Sequence, residues 1–188
     1  MAATPRRPRK PTYAERRERR AAVEDLGDVV DFAARFLEAR PRAVAEVRRR
    51  LASAGFRADL AEAAIARLTE LRYLDDEAFA RAWVESRDRA HPRGEHALRR
   101  ELGLKGVDRA IVDAVLADRA EGKGEPDLVA AERLLAGHRA ALTRVADPRR
   151  RRQRAYALLA RHGFDPAIAS ELARRVGEGS RDDDAEDS

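Results

Sequence analysis

Apolar residues recur along this chain with helical rather than strand spacing. Val29, Phe32, Ala33, Phe36 and Leu37 describe one face of a helix that must stop before Pro41. Pro41 suits the start of a second helix, which turns Val44, Val47 and Leu51 inward, sends Arg48, Arg49 and Arg50 mostly outward and stops at Gly55. A third helix after Phe56 uses Leu60, Ala64, Ile65 and Leu68 and runs to about Arg72. Asp75 then reads as the N-cap of a further helix, with Asp76 and Glu77 against the positive end of its dipole. The apolar face of that helix carries Phe79, Ala80, Trp83 and Val84, which predicts a buried position for the chain's one tryptophan.

The pattern repeats. Leu51 to Phe56, Leu102 to Val107 and Leu159 to Phe164 share a leucine, a glycine four residues on and an apolar residue after it, at offsets of 51 and 57 residues. Pro41, Pro92 and Pro148 precede them, and Leu60, Ile111 and Ile168 follow four residues after Phe56, Val107 and Phe164. The repeated unit is therefore helix, Pro-started helix, Gly stop, helix. The expected fold is all-α: tandem three-helix repeats in an elongated modular array, because helices this short must pack within their own unit. The expected organisation is a flexible basic arm over 1–24, repeats over 25–74 and 75–120, a linker over 121–126 that allows bending, a third repeat over 127–177 and a disordered acidic tail over 178–188.

Composition narrows the function classes. Of the 188 residues, 44% are hydrophobic and 39% charged, and no apolar stretch approaches membrane-spanning length, so no membrane role is expected. The basic N-terminus lacks the apolar segment of a secretory signal, which predicts a cytoplasmic protein. The chain has no cysteine, and its histidines, at 91, 96, 138 and 162, form no i,i+4 pair. No phosphate-binding glycine loop or nucleophile elbow is present. No catalytic residue, metal ligand or cofactor site is expected, and an enzyme is not.

Basic surface remains. The net charge of +5 hides a balance of +6 over residues 1–20 and −5 over 178–188. Arg48, Arg49 and Arg50, then Arg99 and Arg100 with Lys105, then Arg149, Arg150, Arg151 and Arg152 with Arg154, fall on the second helix of their repeats or at its start. Arginine forks grip phosphates or the carboxylates of an acidic protein, so the stripe alone does not choose between them, and pairing with neighbouring Glu is the default for any single cluster. Phe32, Phe36, Phe56, Phe79, Trp83 and Phe164 sit in the apolar phase and read as core, which argues against a platform for stacking single strands.

The residues resemble the RecX family of regulatory proteins. The second repeat carries the resemblance through Tyr73, Leu74, Asp75, Asp76, Phe79, Ala80, Trp83, Val84, Arg87, Gly94 and the run Glu101 to Val107, including Leu102, Lys105 and Gly106; the third is similar over Arg154 to Phe164. Arg42-Ala43 departs from the family, which usually has Ser or Thr after the arginine. The resemblance covers about residues 28–177. It implies a curved array of three-helix repeats, with most motif residues structural. It also implies a non-enzymatic regulator that binds along the groove of a RecA filament on DNA and restrains ATP hydrolysis and strand exchange, within homologous recombination, DNA repair and the SOS response; a monomer is expected. Weak direct contact with DNA is left open. The candidate contacts are Arg48, Arg49, Arg87, Arg99, Arg100, Lys105, Arg149, Arg150, Arg151 and Arg152. The competing reading is a helical protein acting directly on duplex or single-stranded DNA, motivated by a pI of about 10.1.

Overall fold

The computed structural model describes Arg9 and residues 12–178. The rest of the basic arm, and the acidic tail beyond Glu178, lie outside the described residues. No strand occurs among the described residues, and no described helix is long and apolar enough to cross a membrane. The chain divides into two compact units between Asp75 and Asp76.

The first unit holds α1 (Tyr13–Ala21), α2 (Leu26–Glu38), α3 (Val44–Ala54) and α4 (Ala58–Glu70). Helix α1 corrects the reading of residues 1–24 as a flexible arm. The Thr12 hydroxyl accepts from the Glu15 N–H, and the Glu15 carboxylate accepts from the Thr12 N–H at 2.7 Å, forming a reciprocal capping box. Tyr13 then donates its hydroxyl to the Ser53 carbonyl at 2.7 Å, and Arg17 lies over Gly55. Nothing in α1 is buried, so its attachment left no apolar period to read. Beneath it, Val29, Ala33, Val47, Leu51, Ile65, Leu68 and Leu74 form one core.

The second unit contains α5 (Asp76–Ala90), α6 (Glu95–Lys105), α7 (Arg109–Lys123), α8 (Pro126–Gly137), the short α9 (Arg139–Thr143), α10 (Pro148–Arg161) and α11 (Pro166–Glu178). Pro148 occupies the first turn of α10, as the repeat pattern predicts, with Asp147 capping the Arg149 N–H at 2.9 Å. Pro41 and Pro92 instead stand three residues ahead of α3 and α6. There Ala43 and Gly94 are extended N-caps without a side-chain acceptor. At Ala43 the cap is half made, because Glu46 reaches back to the Ala43 N–H at 3.3 Å.

The expected linker over 121–126 is also corrected. Its first three residues are the last turn of α7 and Pro126 opens α8, so the second and third repeats share one compact unit. They meet closely at Gly94, whose N–H donates to the His162 carbonyl at 3.0 Å.

The repeated glycine stop has a common backbone cause. Gly55, Gly106 and Gly163 hold φ of 99°, 86° and 78°, the left-handed region that an L side chain enters at about 1–2 kcal/mol. Gly103 is two residues inside α6 with nothing within 4 Å of an added Cβ. Urea unfolding should therefore show Gly106→Ala destabilising by about 1–2 kcal/mol and Gly103→Ala stabilising by up to about 1 kcal/mol. Equal effects would refute the assignment of Gly106 as the stop.

Candidate functional site

Trp83 on α5 stands at the centre of a charged cluster, half-buried rather than in the core that its helical phase predicts. Its polar edge explains the difference, since a fully buried indole would strand its N–H. That N–H donates to Glu101 Oε2 of α6 at 2.9 Å. Arg87 Nε, one turn along α5, donates to the same oxygen at 2.7 Å, and Arg93 Nε reaches Oε1 at 3.2 Å. The Arg87 guanidinium lies 4.4 Å from the Trp83 ring centre and the Lys105 ammonium 5.0 Å, both within cation–π range. Burial pushes the Glu101 carboxyl up, but the hydrogen bonds from Arg87 and Trp83 outweigh it and hold the group below its ordinary range. Three cations thus gather about one carboxylate and an accessible aromatic face. The cluster fastens α5 to α6 and leaves the positive charge of Arg87 and Lys105 beside the indole ring.

The first unit has its own arginine–aromatic face. Arg42 lies 4.2 Å from the Phe36 ring centre, and Arg20 and Arg50 lie 4.7 and 5.3 Å from that of Phe32, which packs edge-on against Phe56. At the 51-residue offset Phe32 corresponds to Trp83 and Arg50 to Glu101, so the acid that gathers the cations of the second repeat is itself a cation in the first.

The other motif residues are mostly architectural. Leu74, Phe79, Ala80 and Leu102 are buried, Asp75 pairs with Arg72 at 3.1 Å and Asp76 is the first residue of α5, whereas Tyr73 is 69% exposed. The expected basic stripe is divided. Arg48 forms a two-pronged pair with Glu62 at 2.6 and 2.8 Å, and Arg99 is shared between Glu95 and Asp113. Arg49, Arg100, Arg149, Arg150 and Arg152 are exposed. Arg151 is a correction: it is 6% exposed, and its Nε donates to the Val145 carbonyl at 3.0 Å. One turn into α10 its side chain folds back under the preceding loop and donates to the carbonyl of the buried Val145 and, at 3.4 Å, to that of Ala146.

A second buried arginine escaped the sequence reading. Arg119 of α7 donates to Asp88 of α5 at 2.9 and 3.1 Å and to Asp127 of α8 at 2.6 Å, while the other oxygen of Asp127 accepts the Glu95 N–H at 2.8 Å. Asp127 therefore caps α6, whose own N-cap is Gly94. The signal was present in the repeat register, where Arg119 corresponds to the buried Leu68. Among the described residues, no group of three or more His, Asp or Glu could hold a metal ion.

Family models for the first and second three-helix domains of RecX match residues 31–68 and 75–116. The regulatory protein RecX of Mycobacterium avium is 38% identical over 139 residues, covering 73% of this chain and 78% of its own length. That of Streptomyces coelicolor is 31% identical over 152 residues, covering 79% and 77%. The crystal structure of RecX from Lactobacillus salivarius superposes with a TM-score of 0.65 at 20% identity, over 81% of this chain and 97% of that one, and shares the fold of tandem helical repeats. From these relatives, the two domain matches and the repeated helical units, the chain belongs to the RecX family of regulatory proteins.

Proposed function

We propose that this protein binds a RecA filament on DNA in the cytoplasm and restrains its ATP hydrolysis and strand exchange by contact, without a reaction of its own. Besides family membership, the first turn of α10 carries this reading. Arg149, Arg150 and Arg152 are exposed there, and Arg150 approaches Asp147 only at 3.6 Å. Cations at a helix N-terminus oppose the macrodipole, by roughly 0.3–1 kcal/mol each, so helix stability does not account for them. A polyanionic filament does, because clustered positive charge raises the encounter rate and fixes orientation. Arg100, Arg87 and Lys105 extend the positive surface of the same unit.

The test is RecA ATPase on single-stranded DNA with the protein titrated in. Reversing Arg149, Arg150 and Arg152 to Glu should raise the half-maximal concentration at least about tenfold, an electrostatic loss near 1.4 kcal/mol, with helicity unchanged. Arg151 must be kept, since Arg151→Glu sets a carboxylate against the Val145 carbonyl and should lower Tm by itself. A folded triple variant that suppresses ATPase normally would remove α10 from the contact surface. Gel shifts with and without RecA separate this reading from direct DNA binding: a shift of bare duplex that is independent of RecA would favour the alternative.

A further inference from the structure

The Trp83 cluster and the arginines of α10 leave unused a cleft of about 380 Å³ in the second unit, where the loop between α5 and α6 faces α8 and the end of α10. Three arginines and three histidines line it, Arg89, His91, Arg93, Arg133, His138 and His162, and no acidic side chain does among the described residues. In a chain with 34 acidic residues, a recess whose charged side chains are three arginines without an acid among them is unlike the many ion pairs of the surface. Two of the arginines have one nitrogen committed: Arg133 donates to the Asp88 carbonyl and Arg93 Nε to Glu101. Their remaining N–H groups are still to be used, as is the guanidinium of the exposed Arg89.

Two of the histidines are set in a particular tautomer. His162 Nδ1 lies 2.8 Å from the Leu158 carbonyl, and His138 Nδ1 lies 2.9 Å from the Leu134 carbonyl. A carbonyl oxygen can only accept, so each Nδ1 carries a proton. The second nitrogen is then a bare acceptor while the ring is neutral, and becomes a donor only when the ring is protonated. For His162 protonation is resisted by burial and by the nearby charges of Arg93, His138 and Arg161, which hold it below its ordinary value of 6.5, against the favourable pull of the Leu158 carbonyl. Arg89 and Arg133 add further positive charge around the cleft from α5 and α8, and His91 faces it from the loop after α5. An anion in the cleft would offset the repulsion among these charges.

We infer that this cleft binds a phosphate group. A carboxylate is planar and is satisfied by one arginine fork, whereas a phosphate presents its acceptor oxygens in several directions and suits donors converging from three elements. The volume admits a phosphate with the sugar attached to it. The inference does not depend on filament regulation, because it uses none of the arginines of α10 and is read without RecA.

The experiment is an equilibrium titration of the full chain at constant ionic strength in chloride buffer, followed by amide NMR shifts. The probes are inorganic phosphate, a nucleoside 5′-monophosphate and the dinucleotide diester dTpdT; the first two against the third separate a free phosphate group from nucleic-acid backbone as the source. Arg89→Ser should weaken binding, and Arg89→Ser with Arg133→Gln should weaken it about tenfold or more, as expected for lost charge-assisted hydrogen bonds. The pH arm uses dTpdT, whose charge is constant across the range, unlike that of a monoester with its second pKa near 6. Binding should tighten severalfold from pH 7.5 to 5.5 in the wild type, and His162→Gln should flatten that dependence. Stability gives a second readout. Because the folded value of His162 lies below the unfolded one, the unfolded state takes up more protons, so acidification through 6.5 lowers the Tm of the unliganded protein. Bound dTpdT should reduce that loss. Three results would overturn the proposal: no phosphorylated probe binds, binding survives the double arginine variant intact, or a glutamate-rich peptide binds as well as the phosphorylated probes.

Discussion

Gly94→Ala is expected to destabilise the second unit by about 3 kcal/mol or more, lowering Tm by roughly 6–12 °C. The reason is not backbone freedom, since φ is −75° and ψ 164°, values open to any residue. It is proximity. An added Cβ would lie 2.3 Å from the Gly163 carbonyl oxygen and 2.4 Å from the Phe164 Cα. Both obstacles are backbone, pinned by the Gly94 to His162 hydrogen bond and by the left-handed turn at Gly163, so no flexible side chain can swing away. Overpacking usually costs about 1–3 kcal/mol, and this site belongs at or above the top of that range. Thermal or urea unfolding of the variant checks it, and a loss below about 1 kcal/mol would mean the two repeats separate easily.

Arg119→Met should be comparably severe, at about 3–5 kcal/mol, for an electrostatic reason. Burial alone would pull the guanidinium toward neutrality, and Asp88 and Asp127 more than reverse that. The Arg119 side chain is 5% exposed, and those of Asp88 and Asp127 are 15% and 16% exposed. Without the cation, two nearly buried carboxylates face each other with their shared partner gone. The loss should shrink as pH falls, because carboxylates raised above their ordinary range in the folded variant take up protons there before those of the unfolded chain. Adding Asp88→Asn and Asp127→Asn to Arg119→Met should restore most of the stability, because the amide oxygen introduced at position 127 can still accept from the Glu95 N–H. If the single variant unfolds at the wild-type urea midpoint, the triad is not a lock.

The helices and their order were legible in the sequence because Leu51, Leu102 and Leu159, with the glycines after them, obey one geometric rule wherever they occur. The corrections fall where polar side chains hold structure. Helix α1 is started by Thr12 and Glu15 and attached through Tyr13, residues that a search for apolar periods passes over. Arg151 read as surface because arginine usually is, Arg119 drew no notice for the same reason, and only tertiary partners reveal otherwise. Trp83 was placed on the correct helix but too deep, since its N–H partner Glu101 lies 18 residues away on another helix. The exposure of Arg49, Arg100, Arg149, Arg150 and Arg152 was therefore legible from their helical phase, whereas the pairing of Arg48 and Arg99 with acids and of Arg151 with carbonyls was not.

Repeat arrays commonly grow when a copied unit slips in beside its parent, which requires neighbours to be interchangeable. The junction at Gly94 withholds that freedom. In the register of the repeats, the first unit has Ala43 where the second has Gly94, and Leu68 where it has Arg119. A duplicate of the first repeat inserted ahead of the third would drive the Ala43 methyl into the Gly163 carbonyl and set a leucine against Asp127. The first and second repeats are thus not interchangeable in front of the third, and an array lengthened at this junction would need both positions rewritten together.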